Sequence, residues 1–249
     1  MKWLPNLISL LNLFLGCVAL VLVFQGMAFL ASILVFVCAA LDYLDGAAAR
    51  WLKAGTETGK QLDALADLVS FGVLPSAIMF TLLMDASHRV KPDQWHFVFP
   101  FVAFFIATAS AWRLARFNVN EQDDNWFSGL PTPANAMLIA SIPFVLHQVQ
   151  ESRPVHMALT WLVNSQPALL ALVGILSALL VSRLKMFSLK MTRLGWRGNE
   201  LRLIFFAGCV LLFFAFGLSA APLFLFFYLF LSLLGQLVGW IRSSKPVQG

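Results

Sequence analysis

The sequence predicts an all-α fold: a polytopic membrane bundle of about eight transmembrane helices, forming one domain over residues 1–249. Composition supports this fold class, because 60% of the 249 residues are hydrophobic and only 12% are charged. A soluble domain carries roughly 25% charged residues, about twice that fraction. Long apolar runs also follow one another along the whole chain, and helices are the structures that satisfy backbone polar groups inside a bilayer.

The predicted spans follow one another with short polar breaks. The first break is a tight turn at Gln25 and Gly26, and a later one lies near 219–221, where Pro222 suits the first turn of a helix. No cleavable signal peptide is expected, since Lys2 precedes a long apolar run without a small-residue cleavage site. The predicted spans cover about 5–24, 27–49, 59–83, 97–118, 133–149, 157–182, 202–219 and 221–241.

Basic residues are divided unequally between the two sides of this bundle. With the N-terminus in the cytoplasm, Arg89, Lys91 and Arg153 fall outside, and the other 14 of the 17 Lys and Arg residues fall inside. Loops rich in Lys and Arg are cytoplasmic, so this orientation is the expected one, in the cytoplasmic (inner) membrane. The basic residues adjoin spans and form no separate basic domain, so we expect membrane lipid as a partner and no nucleic acid.

Four aspartates stand at helical spacing in this apolar chain. Asp42 and Asp45 are three residues apart, Asp63 and Asp67 are four apart, and each pair shares one helix face. Carboxylates near a bilayer core are costly and repel one another, so we expect a divalent cation between them. Oxygen ligands with no nearby His or Cys favour Mg²⁺ or Mn²⁺. The four aspartates are therefore predicted metal ligands on the cytoplasmic side.

The short connection over residues 50–58 lets the two aspartate pairs face each other. Gly46 and Gly59 would let the backbone approach a bulky ligand, and Arg50 could neutralise a phosphate. These parts indicate metal-assisted chemistry on a phosphate or diphosphate substrate at the membrane surface. A set of structural ion pairs is the alternative, but four aspartates beside one arginine leave much charge uncompensated.

The run from Asp42 to Asp67 reads D-x2-D-G-x2-A-R-x8-G-x3-D-x3-D. It resembles the signature of the CDP-alcohol phosphatidyltransferase family, with no departure in residue type or spacing. The resemblance implies that Asp67 is also the catalytic general base, and that the lipid substrate is CDP-linked, such as CDP-diacylglycerol. It also implies a homodimer. The contacts to CDP implied by the signature are Gly46, Ala49, Arg50 and Gly59.

Two polar residues of the first span add candidate contacts. Asn6 and Ser9 could meet the nucleotide or the diphosphate, or could instead form hydrogen bonds between helices.

The acceptor is indicated by other stretches, over residues 5–14, 59–72, 113–118 and 127–136, with a weaker likeness at 196–199. They resemble the membrane-embedded phosphatidylserine synthases of this family, which implies L-serine as the acceptor. Arg113 or Arg116 could bind the serine carboxylate bidentately, and Asn118 and Asn135 could add polar contacts. The ordinary alternatives are membrane anchoring for the arginines and helix capping for the asparagines.

The implied reaction transfers the phosphatidyl group of CDP-diacylglycerol to L-serine, giving phosphatidylserine and CMP. Glycerol 3-phosphate or inositol as the acceptor is the nearest alternative. A prenyl-diphosphate transferase is more remote, since it would need a second Asp-rich motif. A cation transporter is also remote, since it would spread polar residues through several spans.

Overall fold

The computed structural model describes residues 3–52, 56–89, 98–119, 126–148, 154–187 and 200–243. Helices account for nearly all of these residues, so the predicted all-helical architecture is confirmed. The helices are α1 Leu4–Phe24, α2 Ala28–Trp51, α3 Glu57–Asp67, α4 Leu74–Arg89, α5 Phe105–Val119, α6 Thr132–Leu146, α7 Pro154–Asn164, α8 Gln166–Val181, α9 Glu200–Phe216 and α10 Ala221–Ser243.

Three of these helical segments are long and apolar enough to cross a membrane. They are Leu4–Phe24, Ala28–Ala49 and Glu57–Arg89, and the bent pair α7 and α8 makes a fourth if it counts as one span. Three further apolar segments, Thr132–Leu146, Leu203–Phe216 and Ala221–Gly235, are shorter. A span needs about 20 residues to cross a hydrocarbon core of about 30 Å. Within the described residues, length and composition therefore support three or four spans, and the count of eight stays a prediction.

The predicted span over residues 157–182 is not one continuous helix. Two helices, α7 and α8, occupy this stretch, and they are bent by 98° at Ser165. Ser165 has an extended backbone, with φ −107° and ψ 99°, and Pro167 follows in the first turn of α8. Proline lacks a backbone N–H and clashes with the carbonyl group four residues before it, so α7 does not continue through this point.

A small β-ribbon joins two of the connections between the predicted spans. Strand β1, Trp126–Ser128, pairs antiparallel with strand β2, Lys185–Phe187, and Phe127 lies opposite Met186. Gly129 follows β1 with φ +77°, its N–H donates to the carbonyl of Leu184 at 2.8 Å, and the N–H of Leu130 donates to Leu179 at 3.0 Å. The ribbon therefore attaches the α5–α6 connection to the C-terminal end of α8.

The third long helical segment, Glu57–Arg89, runs without a break from α3 into α4. It contains a π-helical turn over Leu68–Val73. The buried side chain of Phe71 lies within this turn. Ser76 Oγ donates to the carbonyl of Gly72 at 2.7 Å, so a side chain satisfies one backbone group of the widened turn. A π turn adds about one residue, which rotates the following helix face by roughly 100°. The helix α1 packs against α2 and α3, and α5 and α6 pack against the π turn.

Candidate active site

Three of the four signature aspartates come together where α2 meets α3. Asp42 lies in the second half of α2, and Asp63 and Asp67 lie on one face of α3. Carboxylate oxygens of these three residues all lie within 4.8 Å of one another. Asp67 is buried, while Asp42 and Asp63 are partly buried. Three negative charges this close repel strongly away from water, so the arrangement needs positive charge.

The unpaired oxygen atoms of this trio fit a divalent cation. Among the described residues, Asp63 Oδ1 and Asp67 Oδ1 are buried and accept no hydrogen bond. A buried carboxylate oxygen without a partner is costly, and coordination to a hard cation would satisfy it. Asp42, Asp63 and Asp67 therefore form a donor set suited to a divalent metal ion.

Asp45 is arranged differently from the other three aspartates. Its side chain is 4% exposed, and Ser9 Oγ donates to Asp45 Oδ2 at 2.9 Å. The same hydroxyl lies 3.2 Å from the carbonyl of Pro5, so its single proton is shared between two acceptors. Asp45 is still near enough to interact electrostatically with Asp63. Ser9 thus bonds between helices α1 and α2 and orients an aspartate beside the trio.

Gly59, predicted as a CDP contact, lies directly against α1. A Cβ atom added at Gly59 would lie 2.7 Å from Asn6 Oδ1 and 3.0 Å from Thr56 Oγ1. Thr56 is the N-cap of α3, and its hydroxyl accepts the N–H of Gly59 at 3.0 Å. The absence of a side chain therefore lets α1 and α3 pack closely, and it brings Asn6 to the start of the helix that carries Asp63 and Asp67.

The remaining predicted CDP contacts lie on α2. Gly46 and Ala49 are partly buried and follow Asp45 toward the end of the helix. The side chain of Arg50 lies outside the described part of the chain, so its predicted contact with phosphate stays a prediction.

Further buried polar residues follow Ser9 along α1. The carbonyl of Asn12 accepts from Ser70 Oγ at 3.2 Å, and Gly16 leaves room for Ser70, since a Cβ there would lie 2.6 Å from that hydroxyl oxygen. Asn12 itself is fully buried, and its side-chain amide has no hydrogen-bond partner among the described residues. Ser70 belongs to the π turn, which α1 thus helps to fix directly after Asp67.

Arg113 of α5 belongs to the charged groups around the buried Asp67. Its guanidinium group interacts electrostatically with Asp67 and with Tyr228 of α10. Its Nε is buried and has no hydrogen-bond partner within the described residues. Arg113 and Arg116 line one small pocket, together with Trp112, Phe117 and Leu180–Ser182.

The two predicted asparagine contacts lie in different surroundings. Asn135, in the first turn of α6, is fully buried, and neither of its amide atoms has a hydrogen-bond partner in the described part of the chain. Asn118 is partly buried near the end of α5, and its backbone carbonyl accepts from Lys60 Nζ at 3.3 Å. Lys60 therefore links the helix of Asp63 and Asp67 to the helix of Arg113.

A comparison with known protein families gives one match. The sequence model of the CDP-alcohol phosphatidyltransferase family matches residues 2–166. The chain belongs to this family. The match includes the four aspartates, Arg113, Arg116 and Asn135. It ends before α9 and α10. Membership in a phosphatidyltransferase family rules against the prenyl-diphosphate transferase and the cation transporter.

Several curated members of the family resemble this chain. It is 28% identical over 153 residues to the CDP-diacylglycerol–serine O-phosphatidyltransferase of Bacillus subtilis, covering 60% of this chain and 80% of that protein. It is 33% identical over 142 residues to the archaetidylserine synthase of Methanothermobacter thermautotrophicus, covering 55% and 56% of the two chains. The enzyme of Helicobacter pylori strain J99, with the same printed name as the Bacillus protein, is 34% identical over 137 residues, 54% of each chain. The matched part thus spans most of the first relative and about half of the other two.

Some residues around this phosphatidyltransferase site were not found from the sequence. Tyr228 interacts electrostatically with Arg113 from a helix more than 100 positions later, and an apolar span containing one tyrosine carries no signal for this. Ser110 was missed because it looks like an ordinary small residue of a span. It packs against Gly72 of the π turn, and its hydroxyl is buried without a hydrogen-bond partner among the described residues.

Proposed function

We propose that this chain transfers the phosphatidyl group of CDP-diacylglycerol to the hydroxyl group of L-serine, giving phosphatidylserine and CMP. The observation that carries the proposal is the aspartate trio, with oxygens within 4.8 Å of one another inside an intact family signature. Serine as the acceptor is supported by the relatives, since the bacterial ones are named for serine and the archaeal one for archaetidylserine.

The metal site is proposed at Asp42, Asp63 and Asp67, with Asp45 beside them and oriented by Ser9. Oxygen donors without His or Cys suit Mg²⁺ or Mn²⁺. A bound divalent ion supplies positive charge that polarises the diphosphate and stabilises the leaving phosphate.

The aspartate trio also provides the proposed base. Asp67 takes the proton of the serine hydroxyl as its oxygen bonds to the phosphorus that carries diacylglycerol. The bond from that phosphorus to the CMP oxygen breaks, and CMP leaves with the electron pair. A carboxylate has two oxygens, so Asp67 can hold the metal through the unpaired Oδ1 and take this proton with Oδ2.

Arg113 is the favoured contact for the serine carboxylate. Its electrostatic interaction with Asp67 supports this role, and Arg binds carboxylates bidentately. The unpartnered amide of Asn135 supports a further polar contact from α6. Arg116 and Asn118 remain further candidate serine contacts.

The nucleotide is proposed to lie over α1, α2 and the start of α3. The residues proposed to contact it are Asn6, Ser9, Gly46, Ala49, Arg50 and Gly59. The close approach of Asn6 to Gly59 supports this, since it places a polar side chain of α1 at the start of α3, near the aspartates.

We also propose the wider setting of the reaction. The chain is one domain of eight spans in the cytoplasmic membrane, it acts as a homodimer, and its site faces the cytoplasm. The excess of Lys and Arg on one side of the predicted bundle supports this orientation.

CMP release by the purified full-length chain tests the reaction. CDP-diacylglycerol is offered with L-serine, glycerol 3-phosphate or inositol separately, each with Mg²⁺, with Mn²⁺ and with neither ion. We expect release with serine only, and only with an ion present. Release with inositol or glycerol 3-phosphate but not serine would overturn the acceptor, and no release with any alcohol would overturn the reaction.

A further inference from the structure

Two hydroxyl groups lie in the apolar helix α10, outside the family match that ends at residue 166. Over residues 221–235 the polar side chains of this helix are Tyr228 and Ser232, which are four positions apart and share one face. Tyr228 is 4% exposed and Ser232 is fully buried. Polar groups buried in an apolar bundle are costly without partners, so this face of α10 needs a polar neighbour inside the protein.

Helix α10 packs against two elements that carry or adjoin proposed serine contacts. One is α6, which carries Asn135, and the other is β2, which begins three residues after the Leu180–Ser182 wall of the Arg113 pocket. The ring of Tyr228 also packs edge-to-face against Phe205 of α9, with ring centroids 5.9 Å apart. The apolar ring is thus held by packing, and its hydroxyl group is left to serve a polar partner.

One such partner of Tyr228 is Arg113. The two side chains interact electrostatically, and Tyr228 influences the guanidinium group more than Asp67 does. Ser232 interacts in turn with the hydroxyl group of Tyr228. Arg113 therefore has a carboxylate of α3 and a hydroxyl group of α10 as electrostatic neighbours, while its buried Nε has no hydrogen-bond partner among the described residues.

A neutral hydroxyl group is well suited to orient an arginine that binds a carboxylate. A guanidinium group carries five N–H donors, and a carboxylate bound bidentately uses two of them. The arginine side chain is flexible, so a partner that orients it before the substrate arrives reduces the entropy lost on binding. Unlike a second carboxylate, a hydroxyl group does not cancel the charge that attracts the substrate.

We propose that Tyr228 positions Arg113 for the acceptor: its hydroxyl group holds the guanidinium group so that two other N–H groups meet the serine carboxylate. Ser232 supports this hydroxyl group from the next turn of α10. This role rests on the proposed function and deepens it, since it adds a helix outside the family match to the acceptor site. Tyr228 acts through Arg113, so it is a positioning residue and takes no part in metal binding or in the chemical step.

Kinetics of CMP release by purified full-length variants test this role. Tyr228→Phe keeps the ring against Phe205 and removes only the hydroxyl group. We expect the KM for serine to rise about 10–100-fold, the usual effect of one lost hydrogen bond to a charged group. The kcat and the KM for CDP-diacylglycerol should stay nearly unchanged, because only binding of the acceptor is affected.

The other tyrosine of the chain provides the matched control. Tyr43 is 71% exposed, so Tyr43→Phe removes a hydroxyl group of the same kind and should leave the KM for serine unchanged. A double substitution then tests the route through Arg113. In an Arg113→Gln background, Tyr228→Phe should change kcat/KM for serine little, because the group that it positions is gone.

Three results would overturn the proposal while leaving the proposed function intact. The first is an unchanged KM for serine in Tyr228→Phe. The second is an equal fold-change in kcat/KM with and without Arg113, which would show that Tyr228 acts elsewhere. The third is a lower melting temperature together with a fall in kcat alone, which would show a purely structural role. No CMP release with serine by the unsubstituted chain would instead overturn the proposed function, and this role with it.

Discussion

Gly129 turns the chain between the β-ribbon and α6, and one added methyl group there tests how the ribbon is attached. Its φ is +77°, a backbone conformation that side chains disfavour. A Cβ at this position would lie 2.7 Å from the carbonyl oxygen of Leu180 and 2.9 Å from that of Ser182. Both contacts are with backbone atoms, which cannot rotate away. Gly129→Ala should therefore destabilise the protein.

The expected loss of stability has two parts. Left-handed backbone at a residue with a side chain costs about 1–2 kcal/mol. Overpacking against fixed neighbours costs about 1–3 kcal/mol more. The free energy of unfolding should thus fall by about 2–5 kcal/mol, which in a chain of this size lowers the melting temperature by roughly 4–20 °C.

Gly26 separates these two parts. Its φ is +78°, almost the same as that of Gly129, but a Cβ there has no heavy atom within 4 Å. Gly26→Ala should therefore show only the backbone cost, about 1–2 kcal/mol. The assay is thermal unfolding of both purified variants in the same detergent, beside the unsubstituted chain.

The difference between the two variants measures the contact with α8. If Gly129→Ala melts at the same temperature as Gly26→Ala, the carbonyl groups of Leu180 and Ser182 do not confine Gly129. The attachment of the ribbon to α8 would then be wrong. Leu180 and Ser182 line the pocket of Arg113. We therefore also expect Gly129→Ala to need a higher serine concentration for half-maximal CMP release.

Further predictions concern the aspartates. Asp67→Asn should lower CMP release by roughly 10²–10⁴-fold through loss of the base, while the exposed Asp85→Asn should not change it; retained activity of Asp67→Asn would refute the base role. A chelator should stop CMP release, and added Mg²⁺ or Mn²⁺ should restore it; undiminished release in the chelator would contradict the metal site. Ser9→Ala removes the hydrogen bond to Asp45, so the Mn²⁺ concentration for half-maximal activity should rise roughly 10–100-fold; an unchanged value would show that Ser9 does not support the metal site.

Local sequence pattern predicted the parts of the fold that depend on nearby residues. The turn at Gly26, the helical character and the pairing of aspartates on helix faces all follow from spacings of a few residues. The bend at Ser165 was missed, although Pro167 marks it, because the apolar run continues through this point and hydropathy responds to composition. The β-ribbon was missed because its two three-residue strands lie in separate connections, and their pairing depends on how α5 and α8 pack.

The sequence by itself determined the fold class, the family signature and the aspartates that bear the chemistry, because composition and spacing along helices are local properties. Only the tertiary structure decided that Asp42 joins Asp63 and Asp67, while Asp45 is hydrogen-bonded by Ser9. It alone made Arg113 an electrostatic neighbour of Asp67 and Tyr228. These arrangements depend on the packing of helices distant in sequence and on the π turn after Asp67, which changes the face that the following residues present.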